Sequence, residues 1–218
     1  HESTRRQRQM CIRDRVCCML KAIETQYNGR LFRSRLEARW AVFFDSLGVN
    51  YEYEHVGFEL AHGDWYLPDF WIPISDFYIE IKPKGYKELD LDGYVDTLIK
   101  NAKMVGSQQS EFALRSSFVL FGNPWPEEYE LVGYIKGDPI DDAQFVRKLI
   151  FAECRRCDGL CYYIVDNEAN ELGWGNIGNH TCDDHDRWPL LEGSQIQAAY
   201  KAARSARFEH GYSGGALL

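Results

Sequence analysis

No apolar run in the 218-residue chain approaches the roughly 20 residues that a membrane span needs; unbroken stretches such as Phe118–Phe121 are short. No long apolar stretch follows the arginines near the N-terminus, so a secretory signal is not expected. Internal repeats are lacking. Positive charge is in deficit. The 25 Lys and Arg face 33 Asp and Glu, a formal net charge of −8. That excludes a globally basic nucleic-acid coat and leaves room for a local basic groove. Cysteine is sparse and odd in number, seven in all. A small secreted disulfide scaffold would be far denser, and an odd count leaves one thiol over. These absences point to a cytoplasmic protein with no membrane partner. What is present is core material: 45% hydrophobic and 14% aromatic residues, enough to bury a sizeable domain.

The first eighteen residues, HESTRRQRQMCIRDRVCC, have no clear period. They read as a disordered basic arm, as an arm for phosphate, or as a non-native segment. Met10–Arg15 spells MCIRDR, which resembles the in-frame translation of a transposon-end sequencing adapter. The last reading is preferred, with the natural chain starting at Met19. Residues 1–18 carry five Arg and two acids, so the remainder would hold 20 basic and 31 acidic residues, a charge of −11. Three of the seven cysteines would leave with them, and the other four all lie between Cys154 and Cys182.

From Met19 the pattern is orderly. Asn28-Gly29 between 21–25 and 30–32 predicts a short hairpin. Ser34 opens a helix in which Leu36, Trp40, Phe43, Phe44 and Leu47 recur at helical spacing, and Gly48 ends it. Strands are expected over Val49–Glu54, Gly57–Leu60, Trp65–Ile72 and Phe77–Lys82. A second helix is expected over Lys87–Val105, a buried strand at Phe118–Phe121 and another at Glu130–Ile135. Asp141–Phe151 reads as a connecting helix. A final helix starts near Ser194, with Gln197 completing a capping box, and runs to Phe208. The order α-β-β-β-α-β makes the first part a mixed α/β fold around a small central sheet. The domains expected are 19–140 as the core, 141–192 as a cysteine-rich module, and 193–218 as a C-terminal helix and tail.

The stretch richest in chemistry is Pro68-Asp69, ten residues, then Glu80-Ile81-Lys82. Along a strand, side chains alternate between faces. Phe77, Ile79 and Ile81 therefore face the core, and Tyr78, Glu80 and Lys82 project from the other face. The intervening turn folds the previous strand back, so that Asp69 comes to stand beside Glu80. Two close carboxylates repel unless a cation or a proton intervenes. Mg²⁺ suits such a pair, because it takes one or two carboxylates plus waters and phosphate oxygens. It would activate a water against a phosphodiester, with Lys82 to orient the water, share its proton or neutralise charge.

This pattern, preceded by Arg33-Ser34-Arg35-Leu36-Glu37-Ala38-Arg39-Trp40, resembles the PD-(D/E)xK nuclease superfamily. The stretch RSRLEARWAVFFDSLGVNYEYE…YLPDFWIP…FYIEIKP is similar to small uncharacterised nucleases of this type from phages and bacteria. The likeness covers residues 19–122 and extends loosely to ARSARFEHG, residues 203–211. It implies a restriction-endonuclease-like αβββαβ core and a Mg²⁺- or Mn²⁺-dependent deoxyribonuclease. By matching position it makes Asp69, Glu80 and the Ile81 carbonyl the metal ligands and Lys82 the catalytic lysine. Many members add a glutamate from the first helix, here Glu37, and Ser34-x-x-Glu37 is equally a capping box. DNA is the implied partner, and the assembly stays open between a homodimer and a larger nucleoprotein complex. The alternatives are a non-catalytic nucleic-acid-binding or scaffold protein on the same fold, and a transposition or recombination subunit.

Arg33, Arg35 and Arg39 near the first helix read as phosphate contacts or as a solubilising face. Lys100 and Lys103 are explained by the dipole of the second helix, while Lys82 and Lys84 follow the sheet. Trp65 and Tyr86 read as core aromatics before they read as base-stacking ones. His55 and His62 read as surface or turn residues. Glu52 and Glu54 read as exposed positions of an edge strand. No base-specific motif is present.

Cys154-x2-Cys157 and Cys182-x2-His185 are separated by 24 residues. Two such pairs supply the four N/S ligands that structural zinc prefers. Asp158-Gly159 favours a tight knuckle, and Cys161 and His180 compete for one ligand position. A small zinc-ribbon-like module is expected here, against a redox pair or buried unligated thiols.

Overall fold

In the computed structural model the described residues are 22–59, 65–84, 116–124, 129–134, 147–165, 171–178, 181 and 193–208. The chain divides into two units, 1–38 with 207–218, and 39–206. The described residues form a mixed α/β fold with three sheets and two helices. None of these helices is long and apolar enough to cross a membrane.

The first unit contains the expected hairpin. Strands β1 (Thr25–Tyr27) and β2 (Arg30–Phe32) pair antiparallel around Asn28-Gly29. Both turn residues have positive φ, 48° and 74°, the left-handed pair that a two-residue type I′ turn requires. Tyr27 meets Phe208 edge to face, with centroids 6.2 Å apart. Helix α1 (Arg35–Ser46) begins in this unit and continues into the second. It ends where expected: Gly48 takes φ 67° and donates its N–H to Asp45 O (3.0 Å).

The second unit is built on an eight-stranded sheet. Its strands are β3 (Glu52–Tyr53), β6 (Phe70–Ile72), β7 (Phe77–Lys82), β8 (Ser116–Phe121), β9 (Tyr129–Tyr134), β10 (Arg147–Glu153), β11 (Leu160–Val165) and β12 (Glu171–Asn176). They lie in the order β12-β11-β10-β9-β8-β7-β6-β3. The β7–β8 pair is parallel and every other pair is antiparallel. A parallel pair needs a crossover, and this one runs through residues 83–115. The helix expected over Lys87–Val105 falls in that connection, outside the described residues.

Two expectations are corrected. The segment Trp65–Ile72 is two strands. β5 (Trp65–Tyr66) pairs with β4 (Phe58–Glu59) in a separate ribbon, while β6 pairs with β3 and β7. Pro68 lies at the break, where its missing N–H interrupts any ladder. The expected connecting helix over Asp141–Phe151 has β10 within its span. The sequence Arg147-Lys148-Leu149-Ile150-Phe151-Ala152-Glu153 satisfies its backbone against β9 on one side and β11 on the other. Strands β10 to β12, of which β11 carries Cys161, thus continue the same sheet that carries β7.

The core lies where the second half of α1 and helix α2 (Ser194–Ser205) meet the sheet. Trp40, Phe43 and Phe44 of α1 cluster with Phe70 and Phe151, and Phe43 stacks on Tyr200 of α2 at 4.8 Å. Fully burying side chains of this size contributes about 1.5–3 kcal/mol each.

Candidate functional site

The β6–β7 register pairs Phe70 with Ile79. Continued past the end of β6, that register would set Asp69 opposite Glu80 and, a step further, Pro68 opposite Ile81. The turn at Pro73–Asp76 folds β6 back along β7, and the Asp69 carboxylate reaches the backbone of Ile81, the residue after Glu80. Asp69 and Glu80 are 2% and 3% exposed, and Lys82 is 9% exposed. Strand β7 is buried on both faces, so Glu80 and Lys82 do not project into solvent. Charges this deep are tolerable only when paired or hydrogen-bonded.

Each of the three is held. Lys82 Nζ forms an ion pair with Glu80 Oε1, two residues apart on one face of the strand. Asp69 Oδ2 accepts the Ile81 backbone N–H at 2.7 Å. That bond follows from the end of β6. The Ile81 N–H points to the β6 edge, and a strand residue's carbonyl points to the same edge as its N–H. Its ladder partner would be Pro68, which has no N–H to give. The Asp69 carboxylate takes the Ile81 donor instead, and Pro68 cannot consume the Ile81 carbonyl. Carboxylate and carbonyl thus share one edge. On the other edge, Lys82 O accepts from Gly122 N (2.8 Å), Gly122 O accepts from Trp40 Nε1 (3.0 Å), and Arg39 Nη1 donates to Asn123 Oδ1 (3.1 Å). The C-terminal ends of β7 and β8 are therefore tied to α1.

Glu80 Oε2 is buried and has no hydrogen-bond partner among the described residues. A buried acceptor left so costs about 1–3 kcal/mol, more when charged. Asp69, Glu80 and the Ile81 carbonyl are oxygen donors, the kind that a hard divalent ion takes together with water. Among the described residues no group of three or more His, Cys, Asp or Glu side chains is gathered for a metal. A cation here would therefore rest on two carboxylates, a carbonyl and solvent.

Glu37 belongs to the first unit. Its Oε1 accepts from Ser34 Oγ (2.7 Å), its Oε2 accepts from Arg33 N (3.2 Å), and its own N–H donates to Ser34 Oγ (3.1 Å). The capping box expected from Ser34-x-x-Glu37 is formed, with both carboxylate oxygens engaged. His55 is exposed, bonds Glu52 Oε2 through Nδ1 (2.5 Å) and stacks on Trp71 at 4.2 Å. Trp65 departs from its core reading: it is 54% exposed, with its ring over Gly57. His62, Tyr86, Lys100 and Lys103 lie outside the described residues.

Of the sulfur set, Cys154 follows β10 directly and Cys157 lies in the turn before β11, and Cys182, His185 and His180 lie outside the described residues. Cys161 is fully buried on β11, its thiol donates to Ala152 O (3.4 Å), and burial pushes it up to about 12. Burial also raises the neighbouring Tyr162 phenol.

Sequence reasoning missed Glu153. This buried carboxylate accepts the Ile196 N–H at 2.8 Å and so caps helix α2. The capping box expected from Ser194 and Gln197 is not formed. Gly193 is the N-cap, without a side-chain cap of its own, and the Gln197 N–H donates to Gly193 O (3.0 Å). The only sequence signal was an acid at the end of an apolar strand. The chain matches no family model, no curated protein and no solved structure.

Proposed function

We propose that the protein is a divalent-metal-dependent endonuclease of the PD-(D/E)xK type that hydrolyses phosphodiester bonds in DNA. The observation that carries this reading is the buried Asp69, Glu80, Lys82 constellation, with one Glu80 oxygen unsatisfied among the described residues. The order α1-β3-β6-β7-β8, with β7 and β8 parallel, supports a restriction-endonuclease-like core.

In this reading Asp69, Glu80 and the Ile81 carbonyl would hold Mg²⁺ or Mn²⁺. A bound divalent ion supplies charge that lets two carboxylates stay ionised together, and it acidifies water. The chain's own residues do the rest. The Ile81 N–H fixes the rotamer of Asp69 before any ligand arrives. Glu80 holds the Lys82 ammonium in a site from which water is largely excluded, where its charge acts strongly on a phosphate oxygen. Lys82 is also placed to move a proton at Nζ. Cleavage of plasmid, linear duplex, single-stranded DNA and RNA with Mg²⁺, Mn²⁺ or EDTA tests the proposal.

The Glu80–Lys82 pair also favours a second reading, a non-catalytic nucleic-acid-binding scaffold in which the pair is purely structural. Metal-independent binding without cutting would select it.

A further inference from the structure

Strands β7 and β8 run parallel, and in open α/β sheets ligands bind beyond the carboxyl ends of parallel strands. At that end the Gly122 N–H donates to Lys82 O (2.8 Å), and the Trp40 indole N–H donates to Gly122 O (3.0 Å). The residue before Trp40 is Arg39, and its Nη1 donates to Asn123 Oδ1 (3.1 Å). Gly122 takes φ 99°, a conformation that favours glycine. A Cβ built on it would touch Lys84 Cβ at 3.5 Å, and Lys84 is exposed. Arg39, Lys82 and Lys84 thus gather around the Gly122-Asn123 corner.

The charge of Lys82 is answered by Glu80, and Asp69 adds a second carboxylate, so the buried constellation by itself does not draw in a phosphate. Arg39 is placed differently. A guanidinium carries five N–H donors in a rigid fork, and Asn123 Oδ1 is the one acceptor it has among the described residues; its Nε is buried without one. Its neighbours one turn away on α1 are Arg35, Leu36, Val42 and Phe43, so no carboxylate of its own helix is spaced to pair with it. The residue is only half-buried. The fork is fixed in direction by Asn123 and left with donors to spend, the arrangement that suits a phosphate.

We propose that Arg39, braced by Asn123, binds a DNA backbone phosphate next to the one that is cut, with Lys84 adding charge to the same corner. Arg39 is then a binding residue that anchors the strand, and this corner is the local basic surface that a chain of net charge −8 requires. The proposal rests on the nuclease reading.

Binding and cutting are measured separately. Binding of a short labelled duplex is followed by anisotropy from about 50 to 200 mM NaCl with Mg²⁺, in an Asp69→Asn background that keeps the DNA intact. Arg39→Met should bind roughly 10-fold more weakly at low salt, with a salt slope smaller by about 1. Arg39→Lys should keep the slope and lose part of the affinity, because an ammonium lacks the fork. Asn123→Ala breaks the same internal hydrogen bond and keeps the charge, so it should leave the slope unchanged. A purely structural Arg39 would make the methionine and Asn123→Ala variants behave alike. In the otherwise wild-type chain, Arg39→Met should raise KM for cutting and largely keep kcat. A folded Arg39→Met with the background affinity and slope, a slope that falls equally in Asn123→Ala, a loss confined to kcat, or no DNA binding by the background protein overturns the anchor. Wild-type cutting that survives EDTA instead defeats the nuclease reading.

Discussion

Where β6 stops, Asp69 supplies from its side chain the acceptor that the Ile81 N–H needs, so the residue has a structural duty beside its proposed ligand role. The two duties separate by substitution. Asp69→Asn keeps an oxygen for Ile81 and should melt close to wild type. Asp69→Ala orphans a buried N–H and should lose about 1–3 kcal/mol in denaturant unfolding. Both should abolish metal-dependent cutting, and only the asparagine variant reports chemistry without a folding defect. Lys82 poses the same problem. Lys82→Ala leaves Glu80 buried and uncompensated, a loss of about 3–5 kcal/mol. Glu80→Gln/Lys82→Met should regain much of that stability while staying inactive, because it removes both charges together. At this scale the sequence was informative in part: the Pro-Asp and Glu-x-Lys spacing brought Asp69 to the strand that carries Glu80, where its carboxylate accepts the Ile81 N–H. It did not show that Glu80 and Lys82 are buried, because alternation alone reads as one wet face, and here both faces are covered.

Elements with local signals were readable, and those decided by distant partners were not. The Asn28-Gly29 hairpin, the helix from Arg35 to Ser46 and the strand Phe77–Lys82 each carry their own period and punctuation. β10 does not. Its apolar residues fit a helix or a strand, and the choice was made by pairing with β9 and β11. The cap of α2 was hidden for the same reason, since Glu153 lies 43 residues before Ile196. This contact gives a coupled prediction. Gly193→Ala should destabilise the wild type, because its Cβ would collide with the Glu153 carboxyl group. In a Glu153→Ala background the same change should be nearly neutral. A double-mutant cycle by thermal melting measures the difference, and additive effects would remove Glu153 as the cause.

Across the whole molecule, the −8 charge means that the proposed DNA binding would have to draw on a local basic surface and on cation neutralisation of the carboxylates rather than on a general field. Alkaline pH probes the buried thiol. Burial raises the Cys161 thiol from its ordinary value of 9.0 to about 12. As pH rises between those values the unfolded chain loses this proton first, so the folded state loses stability across that window. Tyr162, raised by burial as well, acts in the same direction. Melting temperature should therefore fall from pH 9 upward, and less steeply in Cys161→Ala than in the wild type.

The most direct measurement is cleavage of supercoiled plasmid DNA by wild type, Asp69→Asn and Glu80→Gln/Lys82→Met, each with Mg²⁺, Mn²⁺ or excess EDTA, after a melting curve has shown each variant to be folded. The account predicts cutting by the wild type with either metal and none with EDTA, and a rate at least roughly 100-fold lower in both variants. Cutting by the wild type that survives EDTA, or folded variants that cut at the wild-type rate, would contradict it.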